Sequence, residues 1–294
     1  MLLLAVTAGC DTEGRSIGHL DTIWGRRGIS PGRLQKPRAI AIDRNDEIYT
    51  VDMTARIQVF DGDGKFLRLW STPEHIHGRP TGLNIGRDGH VLVADTHYYR
   101  LLVYSRTGKL LKNIGKQGSG PGEFGLVTDA VQDSHGNYYV SEYGQYDRIQ
   151  KFSPDFKFRM QWGGHGSDPG QFMRPQNMVI DEQDHIWVAD ACNHRIQVFD
   201  TAGHLLRIWG RQGSALGELQ YPYSLVVDGP YVYVCEYGNH RVQKFTREGK
   251  SLGCWGTHGR GEGQLHNPWG LVRDSRGKIY VLDTNNHRVQ RITM

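Results

Sequence analysis

Several features of other protein classes are missing from this 294-residue chain. No apolar run approaches the length of a membrane-spanning helix, so no such helix is expected. The sequence contains only 4 cysteines and no Cys-x-x-Cys pair, so cysteine spacing predicts no zinc site. With 35 basic and 31 acidic residues the net charge is +4, and this near balance does not require a strongly anionic partner such as nucleic acid. The alanine, leucine and glutamate surplus of helical proteins is also missing.

What is abundant is glycine and aromatic residues. The 38 Gly, 14 Tyr and 7 Trp favour many short strands joined by tight turns. The length suits one large β domain or two ordinary ones, and a repeat decides between them. An arginine followed by an alternating apolar and polar strand recurs every 44–48 residues. Its six copies are Arg56, Arg100, Arg148, Arg195, Arg241 and Arg288.

Each repeat unit reads as four short strands. In the fourth unit a Gly-rich loop, "GSDPGQFMRP", leads to the apolar strand "QNMVID", and three more strands follow within about 30 residues. Alternation in the third of them, "RIQVFD", indicates a half-buried sheet. Four short antiparallel strands in a unit of this length are a propeller blade, so the sequence predicts an all-β, six-bladed β-propeller of four-stranded antiparallel blades.

The last unit is one strand short, because only "TM" follows its third strand. The missing strand is predicted at the other end of the chain, where residues 19–28, "HLDTIWGRRG", match residues 204–213, "HLLRIWGRQG". We expect this N-terminal strand to pair with the third strand of the last blade, which closes the ring and removes open sheet edges. Residues 17–294 are therefore predicted to form a single domain, preceded by a separate segment at 1–16.

The repeat resembles that of a known family. Six units follow the pattern x-R-[IVL]-Q-x-[FY], with Leu102 replacing the glutamine in the second and Ile292 replacing the aromatic residue in the sixth. Three of them carry Asn-His-Arg, and each comes after a strand similar to P-x-x-[IVL]-x-[IV]-D. From about residue 17 onward these units resemble the NHL-repeat propellers. The resemblance implies the same six-bladed fold. It also implies three kinds of function that occur among such propellers: interaction scaffold, metal-dependent enzyme and, in some animal members, binding of single-stranded RNA.

The Asn-His-Arg triplet is interpreted as structural. The arginine is present in all six units, whereas the histidine occurs only at His194, His240 and His287. An acidic residue precedes the arginine by four to six positions each time, and a guanidinium suits carboxylates and backbone carbonyls. We therefore expect an ion pair in every blade, because a catalytic site has no reason to occur six times. The acids are Asp52, Asp95, Glu142, Asp190, Glu236 and Asp283.

Function is sought where the six units differ. The first strand of each blade lines the central channel, and the residues at its entrance converge on the axis. They include a cation, an acid, two aromatic side chains and several hydrogen-bonding groups, which suit either a ligand pocket or a water-filled channel mouth. These candidate ligand-binding residues are Arg38, Thr81, Thr128, Asp129, Gln176, Asn177, Tyr223 and Trp269.

The favoured function is a non-catalytic scaffold that binds a protein, peptide or glycan. Exposed loop tyrosines at Tyr98, Tyr143, Tyr146 and Tyr237 are natural anchors for such a partner, unless they pack between blades. No nucleic acid is expected, although a basic rim for RNA could form in the loops between blades. Its residues would be Arg26, Arg27, Lys116, Arg211 and Arg260.

The alternative is an enzyme related to peptidyl-α-hydroxyglycine α-amidating lyase or gluconolactonase. The lyase holds zinc with histidines that follow the blade prolines, and this chain has no histidine there. A gluconolactonase-type metal site would need Asp129, Asn177 and a further carboxylate that the sequence does not locate. The remaining histidines, such as His75, His77, His165, His258 and His266, are expected to be scattered and solvated in loops. No cofactor is predicted. If the protein were an enzyme, zinc or calcium would be the candidate metals, but no residue pattern supports either.

The N-terminus, "MLLLAVTAGC", resembles the lipobox of bacterial lipoproteins, in which Cys10 carries the lipid. Thr7 departs from the usual Leu or Val, and no basic residue precedes the apolar run. The resemblance implies an exported, periplasmic or cell-surface lipoprotein at the cell envelope, anchored only by that lipid. A disordered tail on a cytoplasmic protein is the alternative. A monomer is expected.

Overall fold

A computed structural model describes residues 16–294. Six four-stranded antiparallel sheets follow one another along the chain, together with one two-stranded ribbon. The predicted six-bladed propeller is therefore confirmed. Within the described range, no helix is long and apolar enough to cross a membrane. The lipobox and Cys10 lie outside the described residues.

The strands are short, and their bounds follow the repeat. The chain begins with β1 (His19–Trp24), which belongs to the last blade. Blade 1 comprises β2 (Pro37–Ile42), β3 (Ile48–Asp52), β4 (Arg56–Phe60) and β5 (Phe66–Ser71). Blade 2 comprises β6 (Gly82–Ile85), β7 (Val91–Asp95), β8 (Arg100–Tyr104) and β9 (Leu110–Ile114). Blade 3 comprises β10 (Leu126–Gln132), β11 (Tyr138–Tyr143), β12 (Arg148–Phe152) and β13 (Phe158–Gly163).

The second half of the chain repeats the arrangement. Blade 4 comprises β14 (Pro175–Ile180), β15 (Ile186–Asp190), β16 (Arg195–Phe199) and β17 (Leu205–Trp209). Blade 5 comprises β18 (Pro222–Asp228), β19 (Tyr231–Glu236), β20 (Arg241–Thr246) and β21 (Ser251–Trp255). The ribbon β22 (Thr257–His258) and β23 (Gln264–Leu265) precedes blade 6, which comprises β24 (Gly270–Arg273), β25 (Ile279–Asp283), β26 (Arg288–Thr293) and β1. Three one-turn 3₁₀ helices join second and third strands, at Thr96–Tyr98, Ala191–Asn193 and Thr284–Asn286.

The first strands of the six blades surround the propeller axis. Each contacts the first strands of its two neighbours, and the ring closes between β24 and β2. The strands run away from the face that carries the loops between second and third strands, which we call the loop face. β2, β14 and β18 each have a bulge at their second residue, and β10 has one at its third residue. The entrance of the channel thus lies on the loop face, at the start of these strands.

The N-terminal strand closes the ring, as predicted. β1 pairs antiparallel with β26, from His19 opposite Thr293 to Trp24 opposite Val289. The Asp21 carboxylate accepts a hydrogen bond from the Thr293 hydroxyl at 3.0 Å and lies 3.1 Å from the Lys278 ammonium. Trp24 then packs on Phe60 of blade 1, with ring centroids 4.9 Å apart. β1 therefore joins the last blade to the first.

The same aromatic contact joins other neighbouring blades. The fourth-strand tryptophan of one blade lies on the third-strand aromatic ring of the next, as in Trp70 with Tyr104 at 5.8 Å and Trp209 with Phe245 at 4.9 Å. Gly249 lies under Trp209 with φ +85°, and a Cβ there would come within 2.5 Å of the indole. This close approach explains why a glycine occupies the turn before the fourth strand.

Candidate functional site

Every blade contains an ion pair between the repeated arginine and the acid before it. The separations are 2.6–2.8 Å, and all six acids are fully buried. Arg195 also donates to the carbonyls of Ser167, Asp168 and Gln171 in the Gly-rich loop that enters its own blade, at 2.6–3.0 Å. The arginine thus joins the third strand to this loop, and such a buried network leaves no donor facing a ligand.

The glutamine two positions later completes the attachment. In blade 4 the Gln197 amide donates to the Gln171 carbonyl at 2.8 Å and accepts from the Gly170 N–H at 2.9 Å. Equivalent pairs form in four other blades. Blade 2 differs, because Leu102 occupies the position and Arg100 pairs with Glu74 instead of loop carbonyls.

The histidine of the triplet connects neighbouring blades, a role that sequence reasoning missed. Nδ1 of His194 accepts from the Tyr221 N–H at 3.0 Å, and Nδ1 of His240 accepts from the Asn267 N–H at 3.0 Å. His287 bonds in the same way across the closure of the ring, to the Lys36 N–H at 2.9 Å. The three histidines have φ of 54–57°, a left-handed conformation that directs the ring toward the next blade.

An acid replaces the histidine in blade 3. Asp147 accepts from the Arg174 N–H at 2.9 Å through one carboxylate oxygen, and its other oxygen lies 2.6 Å from Nδ1 of His165. The signal available in the sequence was a 27-residue spacing, which separates His194, His240 and Asp147 from their partners and which a search within single repeats does not reveal.

Three histidines cluster between blades 5 and 6, which corrects the prediction that His258 and His266 are scattered. Their ring centroids lie 4.4 Å (His240 to His258), 5.1 Å (His258 to His266) and 6.0 Å (His240 to His266) apart. Burial lowers the pKa of His240 to about 4, and the charges of the two neighbours act in the same direction. In residues 16–294 no group of three or more His, Cys, Asp or Glu side chains is arranged to hold a metal ion.

The channel entrance brings together seven of the eight candidate ligand-binding residues. Only about 20 Å³ remains between them, which is room for one or a few water molecules. Thr128 is the exception, because its hydroxyl bonds the Pro175 carbonyl of the next blade at 2.5 Å and the Ser141 hydroxyl at 2.7 Å. The cavity is lined by Arg38, Thr81, Asp129, Gln176, Asn177, Tyr223 and Trp269, with Ser224 and the adjoining small residues.

Asp129 lies at the inner end of this cavity and is fully buried. Burial raises its pKa to about 7, although hydrogen bonds from the Met178 and Ala130 N–H groups oppose the shift. Asn177 donates to the same carboxylate at 2.7 Å and accepts from the Leu225 N–H at 3.0 Å. The oxygens of Asp129 and Asn177 are thus bonded to amide groups of their own and neighbouring strands.

Around the entrance lies a ring of larger side chains to which every blade contributes, and three of them also line the cavity. We call it the mouth ring; its members are cationic or aromatic, and most are half-buried. The Tyr223 and Tyr237 rings stack with centroids 4.6 Å apart, and Trp269 meets them edge-on at 5.0 and 5.7 Å. The mouth ring consists of Arg38, Arg79, Tyr143, Arg174, Tyr223, Tyr237 and Trp269.

Sequence reasoning found part of the mouth ring. Tyr143 and Tyr237, proposed there as anchors, belong to it. Tyr98 and Tyr146 instead pack on the blade arginines Arg100 and Arg148, 4.9 and 4.8 Å from the guanidinium carbon. Arg79 and Arg174 were missed, and the signal was their position directly before a blade proline.

The proposed RNA rim is partly neutralised. Lys116 lies 3.1 Å from Glu123, and Arg211 lies 3.1 Å from Glu218. Each of these glutamates belongs to the same Gly-rich loop as its cation. Two of the five cations therefore have an acidic partner.

Comparison with known proteins agrees with this architecture. A family model for the NHL repeat matches residues 172–199 and 265–292, and a model described as a 6-bladed β-propeller matches residues 81–140. The chain is thus a six-bladed β-propeller. Blades 4 and 6 carry segments that match the NHL repeat.

Relatives with related repeats cover only part of the chain. NHL repeat-containing protein 3 of Mus musculus is 30% identical over 195 residues, 58% of this chain and 54% of that protein. Peptidylglycine α-amidating monooxygenase of Rattus norvegicus is 31% identical over 193 residues, 62% of this chain and 19% of that protein. The match thus spans about half the length of the first relative and about a fifth of the second.

Solved structures share the fold at low identity. Streptogramin B lyase superposes with a TM-score of 0.63 at 12% identity, covering 92% of this chain and 97% of that one. At this level of identity the likeness concerns the propeller architecture alone.

Proposed function

We propose that this propeller is a non-catalytic binding module that recognises a protein, peptide or glycan with its loop face. The observation that carries the proposal is the mouth ring, in which three arginines and four aromatic side chains from six blades surround one narrow entrance. Tyrosine, tryptophan and arginine are the residues that contribute most to binding energy at protein interfaces. The rigid blades hold these side chains in place, so that little conformational entropy is lost on binding.

The channel below supports binding at the surface rather than inside. With about 20 Å³ free, the entrance admits only an end group of a partner, and the rest of that partner must lie on the aromatic rim. Asp129, the buried acid in this cavity, is bonded to two backbone amides and to Asn177. These bonds restrain its carboxylate against the next blade.

The test is a binding screen with matched variants. Labelled protein is applied to a peptide library and a glycan array, and any ligand found is measured again with Tyr237→Ala and Trp269→Ala. We expect both variants to lose binding by at least tenfold. Tyr231→Ala is the control, because this partly exposed tyrosine lies in the same blade as Tyr237 but at the opposite face.

Two results would contradict the proposal. Binding that survives both mouth-ring substitutions would place the partner elsewhere. Turnover of a peptidyl-α-hydroxyglycine or of gluconolactone, with zinc or calcium supplied and lost in Asp129→Ala, would show a catalytic propeller. Circular dichroism melting of each variant separates lost binding from lost folding.

A further inference from the structure

We propose that the mouth ring binds an oxyanion, the carboxylate or phosphate group of a ligand, through Arg38, Arg79 and Arg174. This inference rests on the proposed function for the location of the binding face, and it adds the chemistry that the face recognises. It starts from a contrast in the distribution of charge. All six blade arginines are paired with buried acids, whereas none of the three mouth-ring arginines forms an ion pair with any acid in residues 16–294.

Arg38 is the member nearest the cavity. Its guanidinium lies over the Trp269 ring, 5.6 Å from the centroid, and forms no hydrogen bond within the part of the chain that the structure describes. Burial lowers the pKa of Arg38, and the charges of Arg174 and Arg79 lower it further. An arginine remains protonated in proteins despite such shifts, so the three cations repel one another across the entrance. A bound anion would relieve this repulsion.

Arg79 and Arg174 are held by neutral acceptors that leave donors unused. Arg79 donates from Nε to the Met53 carbonyl at 2.6 Å and from Nη1 to the Gly78 carbonyl at 2.7 Å, so Nη2 remains. Arg174 donates from Nε to the Gln176 side chain at 2.9 Å, and both of its Nη groups remain. Neither set of bonds neutralises the positive charge.

Arg174 is also fixed from both sides. Its guanidinium carbon lies 5.0 Å from the Tyr143 centroid and 5.3 Å from the Tyr223 centroid. Its backbone has φ +61°, and Asp147 of blade 3 accepts from its N–H at 2.9 Å. The side chain is thereby directed to the entrance before any ligand arrives, which reduces the entropic cost of binding.

One acid lines the same cavity but forms no ion pair with these arginines. This acid is Asp129, and its carboxylate oxygens are bonded to the Met178 and Ala130 N–H groups and to Asn177. Planar guanidinium forks suit the spacing of carboxylate and phosphate oxygens. The small cavity limits the ligand to a terminal oxyanion, whose attached chain would lie on Trp269 and Tyr237.

The experiment uses the folded protein with inorganic phosphate and with citrate as probes. Each is titrated at constant ionic strength set with sodium chloride, and binding is followed by isothermal calorimetry and by tryptophan fluorescence. We expect saturable binding of at least one probe. Arg38→Gln, Arg79→Gln and Arg174→Gln should each weaken it about tenfold, as expected for loss of a charge-assisted contact.

Two controls remove a positive charge elsewhere. Arg159→Gln lies on the exposed side of β13, and Arg260→Gln lies in an exposed loop of the loop face. Both should bind the probe as the wild type does. Arg38→Lys, which keeps the charge but not the fork, should bind with intermediate affinity.

The outcomes separate the possibilities. Saturation by phosphate alone or by citrate alone identifies the oxyanion, and both support the inference. No saturable binding by the wild type, or equal loss in mouth and control variants, overturns it. If a partner still requires Trp269 and Tyr237 while neither probe binds, the oxyanion inference fails and the proposed function stands. If the probes bind but no partner depends on the mouth ring, the oxyanion inference stands and the proposed function fails.

Discussion

Blades 2 and 4 contain the same arginine–acid pair but use it differently. In blade 4, Arg195 pairs with Asp190 at 2.8 Å and bonds three carbonyls of the Gly-rich loop. In blade 2, Arg100 pairs with Asp95 at 2.8 Å, and its remaining partner is Glu74, whose side chain is 54% exposed. Both blades thus contain the ion pair, whereas only in blade 4 does the arginine also bond a Gly-rich loop.

The difference extends to the glutamine and to the entrance of the channel. Gln197 bonds the Gly-rich loop of blade 4, and blade 2 has Leu102 at this position and no such loop to bond. The segment that replaces the loop, residues 72–80, instead delivers Arg79 to the mouth ring. The blade that lacks part of the structural repeat thereby supplies a cation to the candidate site.

The largest expected effect on the free energy of unfolding comes from removing a blade arginine. Arg195→Ala leaves the fully buried Asp190 without its cation and three carbonyls without a donor, so the free energy of unfolding should fall by about 3–5 kcal/mol. Arg100→Ala should cost less, because it removes no loop attachment. Chemical denaturation measures both, and Arg159→Ala, an exposed control, should change stability by less than about 0.5 kcal/mol. Equal losses for Arg195 and Arg100 would mean that the loop contacts contribute nothing.

A reciprocal exchange at the glutamine position has a smaller expected effect. Gln197→Leu leaves the Gly170 N–H and a Gln171 carbonyl contact unsatisfied, at a cost of about 1–3 kcal/mol. Leu102→Gln should also destabilise, because it buries an amide in a blade without the loop that would bond it. Melting temperatures of the two variants provide the measurement. An unchanged melting temperature for Leu102→Gln would show that blade 2 can satisfy the hydrogen bonds of a glutamine. It would refute the claim that this glutamine requires a Gly-rich loop.

The sequence predicted the features that depend on periodicity. The blade number follows from the 44–48 residue spacing of the arginines, and the closing strand follows from the likeness of residues 19–28 to 204–213. Both are properties of one repeat compared with the next, so a single sequence contains them. The entrance residues were found for the same reason, as positions where the repeats differ.

Features that depend on contacts between blades were missed. The histidine bond reaches 27 residues ahead into another blade, and the cluster of His240, His258 and His266 forms only because blades 5 and 6 adjoin. Thr128 was misplaced because its hydroxyl bonds a carbonyl of blade 4 rather than facing the axis. Arg174 was missed because a left-handed backbone, fixed by Asp147 of the preceding blade, determines where it points.

The smallest and most specific effect concerns pH and the histidines that link blades. Burial lowers the pKa of His194 and His287 below the ordinary value of 6.5, and lowers that of His240 to about 4. Below pH 6.5 the unfolded chain therefore begins to bind more protons than the folded protein at these sites. Their contribution to stability is fully present above pH 6.5 and is lost as the pH falls through the lowered pKa of each histidine, which for His240 is about 4. Blade 2 has Tyr99 at this position, so its link to blade 3 should not share this dependence.

Replacing His194, His240 and His287 together by asparagine isolates this effect. Asparagine tolerates the left-handed backbone and keeps a side-chain oxygen that can accept the N–H of the next blade, but it does not titrate. Urea unfolding at pH 7.5 and pH 5 should show a smaller difference for the triple variant than for the wild type. At pH 7.5 each substitution should cost no more than about 1 kcal/mol, the net value of one hydrogen bond. Because all carboxylates titrate equally in both proteins, an unchanged pH difference would mean that the histidines are not what weakens the links between blades in acid.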